Sequence, residues 1–434
     1  MILKQKIAAQ LPAWRERVSK LVKEHGETKV AEVNIGQIYG GMRDIKGLVT
    51  DISYVDPQEG IRLRGLTIDE TLAALPRLEG AEMPLVGGLF YLLLVGEVPT
   101  LEEALAVEEE WKQRAEIPAY VFDTLRGMSP DAHPMTLFST GILALQPTSV
   151  FTQKYFEGIH RNDYWEYALE DALNITAKMP ALAAFIYNLK YRNGEVPVPD
   201  PNLDWSANFA HMIGKGDDEG YKELARLYFI IHSDHESGNA SAHATHLVGS
   251  TLADVYYSCA AGINALAGPL HGLANQECLR WLLDLKGSFD HFPTAEELEK
   301  FTLDTVHSGQ VIPGYGHAVL RKPDPRFTAQ FEFGKIHMPD DELFKLVKLV
   351  YEVVPGVLGS LGKVKNPFPN VDAISGTLQY HYGLTQFDFY TVLFGVSRIL
   401  GVSANLVWAR ALGQPLERPK SLTTAMLEKV AGIA

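Results

Sequence analysis

Four stretches of this 434-residue chain hold residue types and spacings that could do chemistry. The first is GPLHGLANQE, from Gly268 to Glu277. Gly268 and Gly272 flank His271 and keep bulk from its ring, Pro269 fixes the approach, and Leu273 to Leu283 read as a helix. A histidine near the positive end of a helix is disfavoured as imidazolium, so it is neutral with one N–H to donate. Such a ring suits polarising a carbonyl. It equally suits a histidine satisfied at a helix start, and this stretch does not separate the two. The second is HSDHESGNASAHATH, with His232, His235, His243 and His246. Its i,i+3 pairs look like a metal site, but H-E-x-x-H is absent and Gly238 and Asn239 break the run. One histidine of this glycine-bearing turn meeting an anion is the better reading. His243 and His246 share a helix face and suit ordinary burial.

The third is HSGQVIPGYGHAVLRKPDPRF, from His307 to Phe327. Gly314, Tyr315, Gly316 and His317 form a turn that lets backbone approach a ligand, and Arg321, Lys322 and Arg326 follow closely. A solvated basic loop is the plain alternative. Against it, a chain of net charge −14 concentrates three cations beside a Gly-His turn. The fourth is GVLGSLGKVKNPFPNVDAISG. A P-loop is excluded by the spacing, by Val364 at the Ser/Thr position and by the lack of a preceding strand. There remain Lys363, Lys365 and the loop acid Asp372, which is either a helix cap or a desolvated general base. Arg398 lies in YTVLFGVSRILGVSANLVW among Phe394, Gly395, Gly401 and Val402, where a guanidinium needs an anion or an internal carboxylate. Arg418 in LERPKS is a weaker candidate of the same kind. Together these residues suit an acid/base enzyme acting on a polyanion, with no metal and no Ser or Cys nucleophile.

The elements that must position them read as helices. The composition, 46% hydrophobic and 21% charged, is that of a globular protein, and length suggests two or three domains. Two cysteines, Cys259 and Cys278, argue for a reducing compartment, and the acidic balance makes nucleic acid and anionic membranes poor partners. The most apolar run, Leu85 to Val95, falls far short of the roughly 20 residues that span a bilayer. The basic N-terminus lacks an apolar core and a cleavage site, so it reads as a structural helix. Trp14, Val18, Leu21 and Val22 form its apolar face and Gly26 caps it. Residues 30–70 alternate with period two at Val33, Ile35 and IRLRGLTI, which predicts short strands or a hairpin. Beyond Thr71, capping boxes at Thr100/Glu103 and Thr294/Glu297 open helices. A further helix opens after Pro339 and ends at Pro355 and Gly356. Others cover 221–232, 241–265, 273–285, 390–410 and 421–432. The predicted class is all-α, with a short β hairpin near the N-terminus.

In order along the chain, YGGMRDIKGLV, HSDHESGNASAH, GPLHGLANQE, VIPGYGHAVLRKPDPRF, NVDAISG, FGVSR and LERPKS resemble citrate synthase of the type shared by mitochondria and some bacteria. The resemblance covers nearly the whole chain. It implies that Asp372 takes a proton from acetyl-CoA, that neutral His271 holds the enol oxygen, and that His317 polarises and protonates the ketone of oxaloacetate. It implies oxaloacetate or citrate binding by His235, Asn239, Arg326 and Arg398, with Arg418 supplied by the partner of a homodimer. For CoA it implies Arg43, Arg161, Val311, Gly314, Tyr315, Gly316, Arg321, Lys363, Lys365 and Asn370. It implies a large helical domain, 1–272 and 384–434, and a small one, 273–383, that closes over the ligands. No metal or cofactor is expected, acetyl-CoA being a substrate. The alternatives are a 2-methylcitrate synthase using propionyl-CoA and a non-catalytic filament-forming member of the family. Ile374 stands where a His is expected in the animal enzymes and touches no assigned role. The bacterial cytoplasm is the expected compartment, with the mitochondrial matrix as the alternative for a mature form.

Overall fold

The structure, a computed structural model, describes residues 1–317, 319–362 and 366–433. Twenty α-helices, three short 3-10 helices and one three-stranded sheet make up its regular structure among those residues. Two long helices form the axis of the core. Tyr164–Tyr191 and Tyr390–Ala411 pack along each other, and the second is buried at every position except Ala409. A helix apolar all round has no face for solvent and must sit inside. With the preceding turn it is long and apolar enough to cross a membrane (Phe387–Ala411), but 94% of its apolar window lies inside the protein. Leu85 to Val95 was thus not the most membrane-like run. Charged side chains interrupt that property in Tyr390–Ala411 only at Arg398 and Arg410.

Local signals place most helix starts. Thr67/Glu70, Thr100/Glu103 and Thr294/Glu297 form reciprocal capping boxes, each satisfying two amides that the first turn leaves without partners. Other boundaries differ from the sequence reading. The apolar face of the first helix, Ile2–His25, is Leu3, Ile7 and Leu11; Trp14 packs edge-on against Trp408, whereas Leu21 and Val22 are exposed. Val33 and Ile35 do not form a strand. Asn34 caps a one-turn helix, Ile35–Tyr39, because its side chain and that of Gln37 satisfy each other's amides. The stretch 241–265 is two helices, Ala240–Ser250 and Val255–Leu266, separated by a turn in which Leu252 is left-handed and Asp254 caps the second. Helix Glu342–Ser360 runs through Pro355, since Val357 and Leu358 extend its buried face past the proline.

The sheet is small and antiparallel. Strands β1 (Ser53–Asp56), β2 (Gly60–Leu63) and β3 (Leu66–Thr67) lie in chain order, with Ser53 opposite Leu63 and Asp56 opposite Gly60. Asp56 accepts the amides of Gln58 and Glu59, and Gly60 turns at φ +87°, which closes the hairpin. Ser53 and Val55 point inward. Helices Ala274–Gly287, Ala295–His307, Glu342–Ser360 and Asp372–His381 pack on one another. Pro325–His337 packs against Asp372–His381 and also against Glu219–Ile231 and Ile68–Ala74, so it links that group to the rest of the chain.

Candidate active site

His271 lies in the turn between Val255–Leu266 and Ala274–Gly287. Gly272 is required there for a reason other than access to the ring. A Cβ would sit 2.2 Å from the carbonyl oxygen of Leu266 and 2.8 Å from Thr391, on the central helix. The Ser241 amide donates to Nε2 of His271 at 3.3 Å. A backbone amide can only donate, so the ring proton resides on Nδ1. Burial and the Arg398 guanidinium bring the His271 imidazolium down to about 4. The ring is therefore neutral near pH 7 and offers one N–H, as the helix-start argument anticipated, with burial as the main cause.

His317 is fixed in the opposite sense. Its Nδ1 accepts the amides of Val319 and Leu320, both at 3.0 Å, which puts the proton on Nε2. Burial and Arg326 lower its imidazolium to about 4. The turn that carries it needs its glycines. Gly314 and Gly316 are left-handed, at φ +76° and +94°. Gly314 accepts from the Asn370 amide at 2.9 Å, Gly316 donates to Phe368 at 3.0 Å, and the Asn370 side chain donates to Gly316 at 3.0 Å. The two loops that carry His317 and Asp372 are thereby stitched together.

Asp372 opens helix Asp372–His381, and its amide is capped by the Asn370 side chain at 3.0 Å. Burial pushes its carboxyl up to about 7, although Arg326 pulls the other way. Of the two sequence readings, Asp372 is the desolvated acid and not the helix cap, since its own amide is held by the Asn370 side chain. Arg326, buried at the start of Pro325–His337, is paired with Asp324, whose Oδ2 lies 2.6 Å from Nη2. Asp324 caps this helix ahead of Pro325.

On the far side stand His235 and Arg398, both buried. Nη1 of Arg398 donates to Asn239 at 2.8 Å and to Ser241 at 2.9 Å, and Nε donates to the His232 carbonyl at 3.3 Å. Nη2 of Arg398 and Nε2 of His235 have no partner among the described residues. The rings of His235 and His317 lie 5.6 Å apart, and burial, with the Arg326 and Arg398 guanidinium groups nearby, holds the His235 imidazolium well below its ordinary range. Buried polar atoms left unpaired in this way suit an anionic ligand. The other histidines of the second stretch go elsewhere. His232 hydrogen-bonds the Tyr228 carbonyl and stacks on its ring, His243 pairs with Glu417, and His246 meets Ser237.

His235, Asn239, His271, His317, Arg326, Asp372 and Arg398 are thus neighbours, whereas several other candidates lie apart. Arg418 is exposed, beside a Glu417 anchored to His243 and Ser250. Arg161 lines an open cavity of about 550 Å³ with Arg410, Gln414 and Leu416. Arg43 is exposed in a turn between left-handed Met42 and Asp44. Val311 is exposed and Tyr315 half-buried; Arg321 donates to the carbonyls of Val319 and Leu320 and, through its amide, to Pro57. Lys363 and Lys365 lie outside the described residues. The sequence reading missed Ser241 and Asp324. Ser241 orients His271 through its amide, which carries no residue signal, and holds Arg398 through its hydroxyl; Asp324 was legible as a cap before Pro325.

A family model described as "Citrate synthase, C-terminal domain" matches residues 41–420. A relative from Glossina morsitans morsitans, named probable citrate synthase, mitochondrial, is 53% identical over 99% of this chain and 92% of its own length. The mitochondrial 2-methylcitrate synthase of Yarrowia lipolytica is 49% identical over 99% of this chain and 93% of its own. The solved citrate synthase of Pyrobaculum aerophilum superposes with a TM-score of 0.79 at 28% identity, over 92% of this chain and 97% of that one. The expectation of a bacterial cytoplasmic protein is overturned. The curated relatives at 49–53% identity are named mitochondrial, from fly, plant, fish and yeast. An N-terminal helix that fits a bacterial chain fits a mature mitochondrial one equally well, so it could not decide the compartment.

Proposed function

This chain belongs to the citrate synthase family, and we propose that it joins the methyl carbon of acetyl-CoA to the ketone of oxaloacetate and releases citrate and CoA. It is an acyl-transferring enzyme. The observation that carries the mechanism is the pair of backbone-fixed tautomers, which leaves His271 and His317 neutral with one N–H each. A carbonyl placed against either ring finds a donor that needs no reorganisation. Asp372, raised to about 7, is the base for the methyl proton. A thioester α-carbon is a far weaker acid than any protonated carboxyl, so the Nδ1–H of His271 stabilises the enol oxygen as it forms. Nε2–H of His317 polarises the ketone and protonates the new alkoxide. Hydrolysis of citryl-CoA completes the reaction.

The carboxylates of oxaloacetate take the unpaired Nη2 of Arg398 and Nε2 of His235, with Arg326 and the Asn239 turn beside them. Arg418, exposed here, completes the partner's site in a homodimer. Arg43, Arg161, Arg321, Lys363, Lys365, Asn370 and the 311–317 backbone receive CoA. Residues 273–383 close over both ligands and exclude water. The chemistry asks for no cofactor, and the names of the relatives point to the mitochondrial matrix as the compartment.

The Yarrowia relative keeps one rival in view, condensation of propionyl-CoA to 2-methylcitrate. One methyl group is worth only about 1–3 kcal/mol in an apolar pocket, so overall identity does not choose between them. A thiol-release assay with each acyl-CoA, with and without oxaloacetate, separates them. Higher kcat/KM for acetyl-CoA is expected, and higher kcat/KM for propionyl-CoA overturns the choice.

A further inference from the structure

The turn that carries His235 is held in a conformation its own residues do not favour. Glu236 follows His235 with φ +53°, a left-handed backbone that side chains with a Cβ resist. What holds it comes from a distant segment. The hydroxyl of Ser53, buried on β1, accepts the Glu236 amide at 2.8 Å and donates to Oδ2 of Asp234 at 2.7 Å. It thereby spans His235, gripping the residue on either side. The Glu236 carboxylate returns to the same strand and accepts the Val55 amide at 3.3 Å. The opposite side of the turn rests on the arginine's helix. Gly401 donates to the Ser233 carbonyl at 3.2 Å, and a Cβ on it would lie 2.5 Å from Asp234.

The other end of the hairpin reaches the opposite wall of the site. The Pro57 carbonyl accepts the Arg321 amide at 2.8 Å, and a Cβ on Gly60 would lie 2.4 Å from Pro325, next to Arg326. One short hairpin therefore braces the His235 turn and the segment bearing His317 and Arg326.

We infer that Ser53 is a positioning residue for the oxaloacetate pocket, clamping the strained Asp234–Glu236 turn so that Nε2 of His235 stays aimed beside Arg398. The inference rests on the oxaloacetate reading above. A ligand-binding ring placed by one buried hydroxyl loses its aim when that hydroxyl goes, while groups that bind the acyl-CoA keep theirs.

The test is steady-state kinetics on the full chain with each substrate varied in turn. Ser53→Ala is expected to raise the KM for oxaloacetate about tenfold, with kcat and the KM for acetyl-CoA changed less than about twofold. Ser53→Thr, which keeps the hydroxyl, is expected to recover most of that loss. Should Ser53→Ala not fold, Ser53→Cys keeps the shape, weakens both hydrogen bonds and carries the same expectation. His235→Gln is measured alongside. If it raises the oxaloacetate KM and a folded Ser53 variant does not, the positioning role is overturned. If neither moves that KM, the assignment of His235 to oxaloacetate fails and this inference fails with it. A uniform loss in both KM values and kcat marks a merely structural serine and also overturns it.

Discussion

At the scale of single residues, burial sets the charge states of the ionisable groups in the site. His271 and His317 are neutral because burial opposes their charge, and a backbone amide on one nitrogen dictates which nitrogen keeps the proton. Asp372 is the converse case, a carboxyl kept basic by burial. Asp372→Asn is expected to leave the oxaloacetate KM within a few-fold while kcat falls by about 10²–10⁴, measured by thiol release. Unchanged turnover removes Asp372 from the base role. The base must be ionised, so kcat/KM for acetyl-CoA is expected to fall about tenfold per pH unit below about 7 and to level off above it. The histidines, at about 4, impose no second limb between pH 5 and 8. Stability carries the opposite sign. The folded carboxyl titrates near 7 and the unfolded one near its ordinary 3.8, so the native state loses stability as pH rises through that window. Asp372→Asn is therefore expected to melt a few degrees above the parent at pH 8, with the difference vanishing near pH 4. A lower melting temperature at pH 8 counts against a desolvated carboxylate.

At the scale of elements, His271 and Asp372 sit where a turn meets a helix, His317 sits in a loop between helices, and a second segment fixes each. Helix Ala240–Ser250 supplies the amide that orients His271, and its Asn239 and Ser241 side chains hold Arg398. The 312–317 turn and the 366–372 loop exchange hydrogen bonds, so His317 and Asp372 move together. Gly314 is the tightest point of that junction. A Cβ on it would lie 2.7 Å from the Cα of Ala373 and 2.9 Å from Sγ of Cys278, at φ +76°. Gly314→Ala is expected to lower kcat at least about tenfold and to destabilise the fold by about 1–3 kcal/mol, read from turnover and urea unfolding. Near-parental turnover would show that the two loops need not stay in register.

At the scale of the molecule, Arg418, exposed on its own subunit, is proposed to complete the partner's site in a homodimer. Subunit mixing tests this. In a heterodimer of Arg418→Ala and Asp372→Asn chains, one site keeps its own Asp372 and receives the intact arginine, and the other lacks both. Two nearly inactive parents, refolded together, are expected to regain about a quarter of parental activity, because half the dimers are mixed and each has one sound site. No gain on mixing places Arg418 in its own subunit's site or outside catalysis.

Residue type and local spacing were enough to determine the helical class and most helix starts, and they singled out Asp372, His271, His317 and Arg398 as candidates without assigning their roles. Capping boxes, apolar periodicity and a charge stranded in an apolar helix are local signals, legible wherever they occur. The exceptions came where burial overruled them. Helix Glu342–Ser360 continues through Pro355 because its apolar face does, and Leu21 and Val22 stay exposed because none of the described residues covers that end of the first helix. Only the tertiary structure decided how the histidines are protonated. Their orientation depends on the amides of Ser241, Val319 and Leu320, and every residue type other than proline offers the same amide. It also decided that Ser53, 182 positions before His235, grips the turn that carries it, since a contact of that separation leaves no period or motif in the chain.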